Sequence, residues 1–229
     1  MKKCVSVIPA RGQSKGIIGK NLHPLGKKRL IDWVLGSSVL SHIDSTWVST
    51  EDAKIKEHVR TYWGSNVQVL DRPPELAMDT ATTDSVLEHF ASVVTDWDIL
   101  CLIQATSPMT TRQHLDDALA LFINNIDKYD SAMSVYGMED NDMMFWNYVD
   151  DKLKPTNYDP KNRVRRQDWT NTHWLETGAF YFITKEAFEI HKCRVGANIL
   201  PIEMPFWESF EIDRIEDLKN IEKLLAWSD

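Results

Sequence analysis

Two groups of residues near opposite ends of the chain have side chains suited to phosphate chemistry. The first is Arg11-Gly12-Gln13-Ser14-Lys15-Gly16, continued by Lys20-Asn21, directly after an apolar run over residues 5–8. Glycines let backbone amides turn towards phosphate oxygens, and Arg11, Lys15 and Lys20 offset the charge that gathers on a departing pyrophosphate. The loop lacks the G-x-x-x-x-G-K-[ST] pattern of a Walker sequence and the G-x-G-x-x-G pattern of a dinucleotide fingerprint. An ordinary surface loop with turn glycines and solvated lysines has the same composition, so the motif needs a partner. That partner is Glu211-Ile212-Asp213. In extended backbone, alternate side chains share a side, so Glu211 and Asp213 can face one divalent cation. Magnesium takes oxygen ligands and would join these carboxylates to triphosphate oxygens. The competing reading is a helix starting near Ile215, with Asp213 accepting the free amides of its first turn.

Other chemistries find less support. The seven histidines, His23, His42, His58, His89, His114, His173 and His191, form neither H-E-x-x-H nor a compact ligand set, although His23 lies close to the phosphate loop. Ser107 precedes Pro108 without a G-x-S-x-G elbow. Arg163, Arg165 and Arg166 with Trp169 invite an RNA-binding reading. The patch is short, however, and 26 basic against 34 acidic residues leave a net charge of −8, which gives no global attraction for nucleic acid or anionic membrane. Cys4, Cys101 and Cys193 have no metal-site spacing and suit a reducing compartment; the first two lie in apolar runs and read as core. The apolar stretch over 4–10 is too short for a signal peptide's apolar region with its cleavage site, or for a membrane span. The expected location is the cytoplasm, or the nucleus in a eukaryote.

The elements that must position these groups alternate. Strands are expected over 5–8, 46–50, 67–70, 99–103, 131–135, 178–183 and 198–202. Helices are expected over about 30–39, 55–63, 85–94, 114–122 and 185–191, with a last one after Asp213. This predicts an α/β fold: a mostly parallel sheet with helices on both faces, whose ligands lie at the carboxyl ends of the strands. The 229 residues are read as a single domain over 1–229. Between 137 and 175 the periodicity loosens, with Met143, Met144, Phe145, Trp146, Tyr148 and Tyr158 preceding the basic run. An inserted dimerisation arm against a second subunit would explain aromatics that one sheet cannot bury.

With these residues in view, the sequence resembles the CMP-sialic acid synthetases, or acylneuraminate cytidylyltransferases, most of all the animal-type members. Five ordered blocks carry the likeness: residues 8–16 with Lys20-Asn21-Leu22; Trp47-Val48-Ser49-Thr50; Ile103-Gln104-Ala105-Thr106-Ser107-Pro108; Arg165-Arg166-Gln167-Asp168-Trp169; and Thr177-Gly178-Ala179-Phe180-Tyr181-Phe182, ahead of the acidic pair. The resemblance implies a Rossmann-like nucleotidyltransferase fold and the reaction of CTP with a nine-carbon 2-keto acid sugar, giving a CMP-sugar and pyrophosphate. It implies Arg11 and Lys20 as the main phosphate cations within a loop that includes Gly12, Ser14 and Lys15. Asn21 would lie near the nucleotide sugar, and Arg72 and Ala81 beside the base. Gln104 would contact the acidic sugar, as would an arm carrying Arg165, Arg166 and Gln167, with Arg166 the first choice for the carboxylate. Magnesium on Glu211 and Asp213, and a homodimer, follow from the same likeness. Two departures stand out: Glu211 where many members have aspartate, and Gln13 where many have glycine. Open alternatives are an eight-carbon acid, a bacterial nine-carbon diamino acid, or a noncatalytic sugar-nucleotide binder.

Overall fold

The computed structural model of the chain describes residues 2–139, 145–156, 158–163, 165 and 172–227. Strand β1 (Cys4–Pro9) leads through the loop into two short strands, β2 (Pro24–Leu25) and β3 (Lys28–Arg29), and helix α1 (Leu30–Leu40). The alternation continues with β4 (Ser45–Thr50), α2 (Ala53–Tyr62), β5 (Val67–Asp71), α3 (Thr83–Val93), β6 (Ile99–Ile103) and α4 (Arg112–Asn124). Then come β7 (Ser131–Glu139), β8 (Trp146–Val149), β9 (Lys152–Pro155), β10 (Thr172–Thr184), α5 (Lys185–His191), β11 (Ile199–Glu203) and α6 (Ile215–Trp227).

Seven strands form one sheet in the order β11-β7-β10-β6-β1-β4-β5. All run parallel except β10, which is antiparallel to both neighbours. The period-two alternation of β1 and β6 explains why both are apolar on both faces, apart from the buried Ser6 of β1. Cys4, Ile8, Cys101 and Ile103 pack on one face with residues of α1, α2 and α4. Val5, Val7, Leu100 and Leu102 pack on the other with α3 and α5. Both faces are covered, so every residue of β6 is buried. Cys4 and Cys101 are buried and unbridged, as expected, and burial raises both thiol pKa values, which makes them inert.

A third apolar cluster positions the chemistry. Ile17 from the phosphate loop, Leu25, Leu30, Ile212, Leu218 and Ile221 pack together, with Phe210 against them. Burying an isoleucine stabilises by about 1.5–3 kcal/mol, more than the 0–1 kcal/mol of a typical exposed ion pair. The Ile17–Ile212 packing therefore sets how the two ends of the chain meet, and the charges between them follow.

The elements expected from the sequence are present, with extensions. Strand β7 runs to Glu139 instead of ending near 135, and β10 starts at Thr172 instead of 178. The added halves pair with each other from Val135↔Glu176 to Glu139↔Thr172, and β8 pairs with β9 as a hairpin. Trp174, Leu175, Tyr148 and Leu153 are exposed there. A ribbon without a helix over it has no buried face to impose a continuous apolar run, so its strands left no periodic signal.

Candidate active site

The loop after β1, the chain after β4, β5 and β6, and the segment before α6 meet at one end of the sheet. They surround a cleft of about 410 Å³ lined by Arg11, Ser14, Lys20, Asn21, Arg72, Ala81, Gln104, Glu211 and Asp213, among others. Nine of the residues singled out by sequence thus share one cavity at the carboxyl ends of the parallel strands, where open α/β sheets bind ligands.

The phosphate loop is held from several sides. Asn21, which is buried, donates from Nδ2 to the Arg11 carbonyl at 2.9 Å. The Gly12 amide donates to Glu51 Oε1 at 2.7 Å, so in this state it is turned to a carboxylate of β4's end and not into the cleft. Arg11 Nη1 and Lys15 Nζ both meet Asp79, at 2.9 and 2.8 Å. Those contacts, Lys15 first and Arg11 second, hold the Asp79 carboxyl below the usual aspartate range. Lys15 is 81% exposed and stands at the rim, while Arg11 is 35% exposed and faces inward.

Lys20 reaches across the cleft. Its Nζ donates to the Ile212 carbonyl at 2.9 Å and to Asp213 Oδ1 at 3.1 Å. Residues 210–213 belong to no strand, yet their burial alternates: Ile212 is fully buried while Glu211 and Asp213 line the cleft. Asp213 does not serve as the helix cap. Asp217, in the first turn of α6, accepts the amides of Asp213 and Arg214 at 3.0 and 2.8 Å, while the Asp213 carboxylate lines the cleft and accepts from Lys20.

Two glycines let the pieces approach. A Cβ on Gly16 would lie 2.3 Å from the Asp213 carbonyl oxygen. Gly178 has φ +73°, and a Cβ there would lie 2.4 Å from Glu211 Oε1. Gly178 sits where the β7–β10 register shifts, between Glu176 and Tyr181. Buried Thr177 and Ser134 bridge the interruption: Thr177 donates to the Ser134 hydroxyl at 2.7 Å, and that hydroxyl accepts from the Phe180 amide at 3.1 Å.

Glu211 has its pKa raised, first by burial and then by the charge of Asp213; the Thr106 hydroxyl, 3.5 Å away, and Lys20 partly oppose this. A magnesium ion fits this donor set. Among the described residues no three His, Cys, Asp or Glu side chains gather as a complete cage. A half-buried Glu211 carboxylate and an exposed Asp213 carboxylate lining the same cleft provide an incomplete oxygen set of the kind magnesium completes with water and phosphate oxygens. A consequence concerns stability without metal. The folded pKa of Glu211 lies above its ordinary 4.5, so folding favours the protonated form. That contribution is complete below 4.5 and is lost as pH rises through the folded pKa. Glu211→Gln should therefore melt above the wild type at neutral pH in metal-free buffer, by about 2–4 °C per kcal/mol recovered. The difference should close on acidification; a gap that persists or grows at low pH would refute the cause.

Beyond the cleft floor, Arg72 is buried with Nε donating to Ser49 Oγ at 3.2 Å and Nη2 to the Ser49 carbonyl. Burial lowers its pKa, offset by the nearby Glu51 charge. The Gln104 amide donates to the Ala179 carbonyl at 3.0 Å, which ties β6's end to the β10 irregularity. Of the proposed arm residues, Arg165 is exposed, and Arg166 and Gln167 lie outside the described residues. Sequence reasoning gave no role to Asp79, Glu51, Gly178 or Asp217. Asp217 alone had a local signal, an acidic side chain in a helix's first turn.

The fold is the Rossmann-like nucleotidyltransferase fold. The chain belongs to the cytidylyltransferase family, whose model matches residues 5–227. It is 34% identical over 212 residues, 91% of its length, to N-acylneuraminate cytidylyltransferase B of Danio rerio, of which it covers 48%. The chain spans about half the length of the vertebrate relatives it matches. It is 28% identical to the pseudaminic acid cytidylyltransferase of Campylobacter jejuni, over 95% of this chain and 94% of that one. In fold it resembles a CMP:2-keto-3-deoxy-manno-octonic acid synthetase solved with CTP, with a TM-score of 0.70 at 17% identity, covering 99% of this chain and 100% of the other. Among the described residues no helix is long and apolar enough to cross a membrane.

Proposed function

We propose that the chain is an N-acylneuraminate cytidylyltransferase, which transfers CMP from CTP to the anomeric hydroxyl of an N-acylneuraminate or a closely related nine-carbon 2-keto acid sugar and releases pyrophosphate. The observation that carries this reading is the single cleft in which Arg11 and Lys20 face Glu211 and Asp213, with Lys20 and Asp213 3.1 Å apart. The nine-carbon class is supported by the N-acylneuraminate and pseudaminic acid enzymes among its relatives.

In this reaction the sugar hydroxyl attacks the α phosphorus from the side opposite pyrophosphate. A new phosphorus–oxygen bond forms to the sugar, the bond to the β phosphate's bridging oxygen breaks and its electrons leave with pyrophosphate, and the hydroxyl proton passes to solvent water. The protein's part is alignment and charge stabilisation. Arg72 and Ala81 bound the base end of the cleft, and Asn21 braces the loop beside the ribose. Arg11 and Lys20, with Ser14, receive the phosphates, Lys15 assists from the rim, and the Gly12 amide joins them on leaving Glu51. Gln104 orients the sugar. Glu211 and Asp213 would hold magnesium, which when bound would screen phosphate charge and favour loss of the hydroxyl proton. Arg165, Arg166 and Gln167 are assigned to an arm that reaches a second copy's cleft in a homodimer. The exposed Trp174, Leu175 and Tyr148 support such a covered ribbon.

The test is a panel of acid sugars with CTP and magnesium, read by pyrophosphate release and product mass. Preferred conversion of a nine-carbon acid is expected. Preference for an eight-carbon acid would replace the substrate assignment, and CTP binding without turnover would replace the catalytic one. Within the loop, Arg11→Ala should reduce kcat/KM more than Lys15→Ala, by about tenfold or more, because Arg11 lines the cleft with a planar fork while Lys15 is 81% exposed at its rim. Equal losses in both variants would overturn that order.

A further inference from the structure

The proposed phosphate cations are already neutralised within the chain. Asp79 Oδ1 accepts from Arg11 Nη1 at 2.9 Å and Asp79 Oδ2 meets Lys15 Nζ at 2.8 Å, so one carboxylate spans two of them. Asp79 is not on the phosphate loop. It lies in a turn closed by the Ala81 amide donating to the Met78 carbonyl at 3.0 Å, just ahead of α3, and it lines the same cleft. Arg72, by contrast, is satisfied from beneath by Ser49, and Lys20 by the Ile212 carbonyl and Asp213.

We propose that Asp79 is a resident counter-ion that competes with pyrophosphate for Arg11 and Lys15. In the empty cleft it holds both cations. A triphosphate with its greater charge displaces it, and after transfer the carboxylate returns and hastens pyrophosphate release. This rests on the cytidylyltransferase reading for the identity of the ligand. Its geometry makes a distinct prediction, because a carboxylate that merely braced the loop would help phosphate binding, whereas a competitor opposes it. A ligand ending at the α phosphate does not contest Arg11 and Lys15, so CMP should be indifferent to Asp79. Both ion pairs are substantially exposed, with Asp79 49% accessible, so the competition is modest and sensitive to salt.

The experiment compares wild type with Asp79→Asn by calorimetry, using inorganic pyrophosphate and CMP as probes in magnesium-free buffer at low salt, with melting curves for both proteins. Asparagine keeps the shape and removes the charge. The expected result is pyrophosphate binding about three- to tenfold tighter in the variant, CMP binding unchanged, and a difference that shrinks in about 0.5 M salt. In turnover assays the variant should show correspondingly stronger product inhibition by pyrophosphate. Pyrophosphate binding to the wild type with equal or weaker binding to Asp79→Asn would overturn the competitor role alone. Failure of pyrophosphate and CMP to bind either folded protein would overturn the reading of the cleft and this proposal with it.

Discussion

Asp213→Ala is expected to lower kcat/KM for CMP transfer by about a hundredfold to a thousandfold while leaving the melting temperature unchanged or slightly higher. The activity loss follows from the cleft. Glu211 and Asp213 are the two carboxylates the cleft presents on the acidic segment, across from Asp79. Asp217 takes the amides of Asp213 and Arg214 just ahead of α6, and the Asp213 side chain is 70% exposed. Removing it takes an oxygen ligand from the proposed magnesium site; the Lys20 contact given up with it involves a carboxylate that is 70% exposed, and the Ile212 carbonyl still accepts from Lys20. The stability expectation has its own cause, because the charge of Asp213 raises the pKa of the more buried Glu211. Without that neighbour, ionised Glu211 is less strained at neutral pH. Initial rates across a magnesium titration, with melting curves in metal-free buffer, measure both halves. Retained turnover with the wild-type magnesium dependence would refute the assignment. A fall in melting temperature as large as the activity loss would show that Asp213 supports the fold.

The parts of this site legible in the sequence are those with local signatures. Strands β1 and β6 could be read because both their faces are buried, which leaves an unbroken apolar run at Ile99-Leu100-Cys101-Leu102-Ile103 and one interrupted only by buried Ser6 at Val5-Ser6-Val7-Ile8. The alternation of Glu211, Ile212 and Asp213 was legible for the same reason, since one buried residue between two polar ones fixes a side even where no strand forms. The position of the Asp213 carboxylate was not: whether it capped α6 or faced the cleft is settled by Lys20, 193 residues away, which meets it across the cleft. The partners of Arg11 and Lys15 were also hidden. Asp79 meets them only because the turn ahead of α3 comes to the same cleft as the phosphate loop, and no spacing in the sequence encodes that meeting. Gly178 belongs to the same class. As a residue it could have served any turn; its need for a missing Cβ appears only once Glu211 lies against it.

Lys20 is where the second large effect is expected, and the reason is geometric as much as electrostatic. Its side chain is 14% exposed, and its Nζ joins the Ile212 carbonyl to Asp213 Oδ1, so it is the direct link between the phosphate loop and the acidic segment. Lys20→Met keeps much of the stem's volume and removes the charge. It leaves the Ile212 carbonyl without this donor, and Glu211 and Asp213 without the cation between them and the phosphates. Loss of kcat/KM by about a hundredfold to a thousandfold is expected, with a raised KM for CTP. Because the Lys20 charge pulls the Glu211 pKa down against burial and Asp213, the acid limb of the pH–rate profile should also move to higher pH in the variant. Lys20→Arg should not restore full activity: a planar guanidinium fork cannot take the place of a compact ammonium between a carbonyl and a carboxylate 2.9 and 3.1 Å away. A Lys20→Met protein with near-normal kcat/KM and an unmoved acid limb would separate the loop from the acidic pair and remove the basis for treating them as one site.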